Sequence, residues 1–61
     1  MTSIAEKALK QLYDEYKRTG INDWQSINTY AGKELASRNL VKENVQGEFM
    51  LTDEGINRLQ N

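Results

Sequence analysis

The chain has 61 residues, eight Lys/Arg against nine Asp/Glu, no cysteine and no histidine, with 38% hydrophobic and 28% charged residues. That describes one soluble globular domain over residues 1–61, too small for a large core: about 60% of the unfolded surface is buried at this size. A net charge of −1 excludes a polycation that coats nucleic acid, and neither disulfides nor a Cys/His zinc set can staple the fold.

The first predicted element is a helix over residues 3–19. Ser3 followed by Glu6 fits a capping box. Ala5, Leu9, Leu12, Tyr13 and Tyr16 recur at helical spacing and define an apolar face. Lys17 and Arg18 suit the negative end of the helix dipole, and Gly20 supplies a left-handed terminator. Beside that face, Ile4, Ala8 and Leu12 form a second stripe. A small core and a wide apolar side together predict a homodimer through Ile4, Ala8 and Leu12.

A second helical region opens at Asn22 or Asp23, either of which can cap it. Trp24, Ile27, Ala31 and Leu35 keep the helical period up to Asn39. Gly32 in the middle costs about 1 kcal/mol relative to alanine if it is helix interior. Two arrangements fit: a very short helix at 23–28 ahead of a second helix from about Thr29, or one continuous helix. In both, Gln25, Ser26, Thr29, Lys33, Ala36 and Ser37 are expected on the outside.

Residues 40–45 and 48–51 read as two strands around Gln46-Gly47, where Gly47 can take the positive φ of a tight turn. Phe49 and Leu51 share one side of the second strand, Glu48 and Met50 the other. Thr52 then caps a helix near 53–59, with Asp53 and Glu54 in its first turn and Ile56 and Leu59 facing inward.

Catalysis has little support in these residues. The usual general base and thiol nucleophile are missing, and Ser3, Ser26 and Ser37 have no imidazole to activate them. Asp14-Glu15 and Asp53-Glu54 are sequence neighbours that diverge on a helix. Neither an enzyme, a cofactor nor a metal site is expected. No apolar run nears the roughly 18 residues of a bilayer span, and Met1 to Glu6 lacks a signal-peptide pattern. A cytoplasmic location without membrane contact is the expectation.

Asn39-Leu40-Val41 and Leu51-Thr52-Asp53-Glu54-Gly55 resemble two motifs of winged helix-turn-helix domains, a "GLV"-like start to the wing and an "LT-x-EG" start to the following helix. The resemblance implies a small α+β domain ordered helix, helix, β-hairpin, short helix. It also implies a transcriptional regulator that occupies a site on double-stranded DNA. Thr29, Lys33 and Ser37 would then face the major groove, while Arg38 and Lys42 steady the backbone. Glu43 and Glu48 in the same hairpin would repel phosphate. They favour the rival expectation, an interaction or assembly module of the same fold whose partner is a protein.

Overall fold

The computed structural model describes residues 1–60, and the element order is that expected from the sequence. Helix α1 spans Ser3–Thr19, α2 Thr29–Ser37 and α3 Asp53–Gln60, with strands β1 (Val41–Glu43) and β2 (Phe49–Leu51) between the second and third helices. The strands are antiparallel, with Val41 opposite Leu51, Lys42 opposite Met50 and Glu43 opposite Phe49. This is a small α+β domain whose layout is compatible with a winged helix.

Each helix end has a specific chemical reason. Thr2, not Ser3, caps α1, its hydroxyl accepting from the Ala5 amide at 3.2 Å. The cap thus lies one residue before the expected Ser3–Glu6 box and is a single bond, since Ala5 has no carboxylate to reach back; Thr2 is also tied to α2. The Thr2 amide and hydroxyl donate to the two Glu34 carboxylate oxygens at 2.9 and 3.0 Å. Gly20, at φ 75°, ends α1 as expected. Its amide donates to the Tyr16 carbonyl at 2.7 Å.

In the second region α2 begins at Thr29, as one of the two expected arrangements has it, but the short helix before it is absent. Residues 23–28 are not helical: Gln25 lies extended and exchanges both backbone hydrogen bonds with Phe49, each 2.8 Å. This bridge satisfies the outward N–H and C=O of Phe49, so β2 sits between β1 and the Gln25 segment. Asn22 and Asp23 cap no helix. The Asn22 side-chain amide donates to the Leu51 carbonyl at 2.9 Å, while Asp23 Oδ1 accepts from the Trp24 amide at 2.8 Å. The cap of α2 is Asn28, which accepts from the Ala31 amide at 3.0 Å.

The turn out of α2 explains the first winged-helix-like motif. Asn39 takes φ 66°. The Leu40 amide donates to the Leu35 carbonyl and the Asn39 amide to the Ala36 carbonyl, both at 3.0 Å. Those two bonds define a Schellman ending, in which asparagine fills the left-handed position that glycine usually takes. The second motif locks onto the first. Thr52 Oγ1 donates to the Asn39 carbonyl at 2.7 Å and accepts from the Gly55 amide at 3.1 Å, capping α3. A Cβ on Gly55 would collide with the Leu40 carbonyl oxygen.

The core lies between α1, α2 and the inner face of the sheet: Ala5, Ala8, Leu9, Leu12, Ala31, Leu35, Leu40, Val41, Phe49 and Leu51. Phe49 is its centre, fully buried, with Gly32 against its ring. Gly32 is neither a bend nor a break, since α2 runs through it, and an alanine there would bring its Cβ within 3.0 Å of the Phe49 ring. Trp24 and Ile27, expected inside, are only half-buried.

The core also corrects the expected dimer stripe. Ala8 and Leu12 are covered within the chain, and of the three residues only Ile4 is exposed. Helix α1 uses both apolar stripes on its own domain, so the reasoning from an uncovered face fails.

Candidate nucleic-acid interface

The short α2 exists because Asn28 starts it, Asn39 stops it, and Ala31, Gly32 and Leu35 bury one side. Three to four residues per turn then leave Thr29, Lys33 and Ser37 in a single outward row, and all three are exposed. Tyr30 beside them is 86% exposed. Ala36, expected outside, packs against the core.

Two of the three functional groups in this row, on Lys33 and Ser37, already have partners inside the chain. Lys33 Nζ contacts Glu43 Oε1 at 2.7 Å, a bridge from α2 to the start of the hairpin. The Ser37 hydroxyl donates to the Glu34 carbonyl at 2.6 Å. Arg38, at the C-cap, lies 3.9 Å from the Glu34 carboxylate. That carboxylate is held below the usual glutamate range, chiefly by the backbone hydrogen bond from Thr2, with the Thr2 hydroxyl and Arg38 adding to it.

Lys42 belongs to a different surface. Side chains alternate along β1. Glu43 turns toward Lys33 on the α2 side, whereas Lys42 turns to the outer face of the sheet, its Nζ 5.9 Å from the centroid of the Trp24 ring. Of the five expected DNA contacts, Thr29, Lys33 and Ser37 share one row and Arg38 caps its end. Lys42 is separated from them by the thickness of the sheet.

From Thr29 to Leu51 the chain carries three cations, Lys33, Arg38 and Lys42, and three carboxylates, Glu34, Glu43 and Glu48. At α2 itself Lys33 and Arg38 stand against Glu43 and Glu34, so that face offers phosphate no net attraction, and Glu43 sits on the one lysine that points straight out of α2. At the hairpin tip, Asn44 Oδ1 accepts from the Gln46 and Glu48 amides, and Gly47 takes φ 78°. This rigid turn lifts Val45, which is 99% exposed, to the apex.

What the sequence did not disclose is the outer sheet face. Gln25 opposite Phe49 sets Trp24 beside Met50, and Met50 is opposite Lys42. The three form one row across the sheet. Its signal was weak, since Trp24 keeps helical spacing with Ile27 and Ala31 and so reads as helix.

Among the described residues, no group of three or more His, Cys, Asp or Glu side chains is placed to hold a metal ion. No helix there is long and apolar enough to cross a membrane. No protein-family model, no curated protein and no solved structure matches the chain.

Proposed function

We propose that this chain is a non-catalytic recognition module of winged-helix-like layout whose partner is a protein rather than the DNA backbone. The observation that carries the reading is the cancellation of charge on α2 and the hairpin. Non-specific DNA affinity comes almost entirely from uncompensated Lys and Arg that displace counterions from phosphate. Here Lys33 is held by Glu43 at 2.7 Å and Arg38 stands beside Glu34. Breaking an exposed pair costs only about 0–1 kcal/mol, but the carboxylate then remains next to the phosphate. The composition, with neither histidine nor cysteine, supports a role without chemistry.

A second reading, a regulator that occupies a DNA site, draws on one observation: Thr29 and Lys33 are exposed on the helix that precedes the hairpin, where a groove-reading helix would stand. Titrating the isotope-labelled chain with random duplex at low salt separates the two. Under our reading amide shifts stay unchanged up to millimolar duplex. Shifts confined to α2 and the hairpin, fading with added salt, would favour DNA.

A further inference from the structure

In residues 23–28 local preference and long-range pairing disagree. Trp24, Ile27, Ala31 and Leu35 stand at helical spacing, with Asn22 or Asp23 ahead of them able to cap. Yet the segment is extended. Among the described residues, only Gln25 ties its backbone to the sheet, through the two 2.8 Å bonds with Phe49. Side chains make the rest of the hold: Asn22 donates to the Leu51 carbonyl at 2.9 Å, and Lys42 Nζ lies 5.9 Å from the centroid of the Trp24 ring. Trp24 and Ile27 are only half-buried, while Ser26 and Asn28 are exposed. A conflict between local sequence and global pairing narrows the gap between competing conformations, and a segment with few buried contacts opens more readily than the core.

We propose that residues 23–28 form a two-state strap. Extended, as in this structure, the strap closes the outer edge of β2. Helical, it lengthens α2 back to about Asp23 and leaves that edge open. The connection permits both forms. Thr2 at the start of α1 meets Glu34 toward the end of α2, so the two helices run antiparallel. Residues 20–22, which would remain between α1 and the longer helix, match the loops of about two to five residues that join such a pair. Asn28 sets the balance. As the cap of α2 it accepts from the Ala31 amide and starts the helix there, whereas inside a longer helix asparagine is a poor former. Opening frees the Phe49 N–H and C=O that now meet Gln25. Those are groups with which an extended strand pairs at a sheet edge, so the strap regulates access to β2.

Saturation-transfer NMR on the isotope-labelled full chain tests the strap. A minor state populated at about 1–10% is expected, with the Cα shifts of residues 24–28 displaced to helical values and the exchange reaching Phe49 and Leu51. Asn28→Ala removes the cap and supplies a good helix former, so it should raise the minor population several-fold and speed hydrogen exchange of the Phe49 amide. Ser26→Pro biases Gln25 toward extended backbone and should remove the minor state. Both positions are exposed, and the wild type alone already decides the main point. Absence of exchange above about 1% at residues 23–28 overturns the proposal, that level being the lower end of the expected range. So do minor-state shifts of random coil, or a minor population that Asn28→Ala leaves unchanged.

Discussion

Three glycines in this chain do three different jobs, and alanine substitution separates them. At Gly20 the backbone sits at φ 75° with nothing within 4 Å of an added Cβ, so Gly20→Ala should cost only the left-handed penalty, roughly 1–2 kcal/mol. At Gly55 the new Cβ would fall well inside the 3.0 Å limit of real contacts, against the Leu40 carbonyl oxygen. Backbone cannot rotate away as a side chain can, so a loss of roughly 1–3 kcal/mol or more is expected. Gly32→Ala meets the fully buried Phe49 ring, and because Gly32 and Gly55 both lie in helices the propensity gain of about 1 kcal/mol is common to both, so each should lose more than Gly20→Ala. Urea unfolding of the three variants checks the order. Glu34 gives a second test at this scale. Its carboxylate accepts from the Thr2 amide and hydroxyl and is held below its ordinary value, first by that backbone bond. A depressed folded value means the clamp contributes fully above the ordinary glutamate range and is lost as pH falls through the folded value. Wild type should therefore show an acid loss of stability that Glu34→Gln lacks, and a carboxyl titration by NMR should place Glu34 below the ordinary glutamate value.

The helices and the hairpin are held by caps, and the caps differ in what else they hold. Asn28 serves α2 alone through the Ala31 amide, so Asn28→Ala should cost about 1 kcal/mol, the usual value of a cap. Thr52 joins α3 to the end of α2, donating to Asn39 while accepting from Gly55, so Thr52→Val should cost more than Asn28→Ala. Thermal melts of the two variants decide it. This division also shows why some elements could be read in the sequence and one could not. Gly20, Gly47 and Thr52 act through their own local chemistry, and the boundaries they mark came out as expected. Residues 23–28 were misread because their conformation is set by Phe49, more than twenty positions away. Trp24, Ile27 and Ala31 keep helical spacing, yet Gln25 pairs with the backbone of β2 instead. The same long-range pairing creates the Trp24–Met50–Lys42 row, so that surface was hidden with the strand that builds it. The dimer stripe failed for a related reason. Ala8 and Leu12 look surplus on an isolated helix, and only the folded arrangement shows that α1 has neighbours enough to cover them.

Across the whole molecule, we propose that charge cancellation, more than shape, would keep this domain off DNA. The layout brings an exposed helix face beside a hairpin, as a groove reader would need. The same layout sets Glu43 on Lys33 and places Glu48 in the hairpin, its carboxylate bonded to the Asn44 side-chain amide at 3.0 Å. Both acids lie at or near the surface, so amides in their place should fold normally. The most direct test compares the wild-type chain with the Glu43→Gln/Glu48→Gln variant for binding to random duplex across a range of salt. The account predicts no measurable affinity for the wild type. For the variant it predicts weak binding whose log affinity falls against log salt with a slope of roughly −1 to −2, at about −0.9 each for Lys33, which the change frees from Glu43, and for Lys42 where it also meets a phosphate. Equal affinity and equal slope for the two chains would contradict it, because the carboxylates would then have been no obstacle.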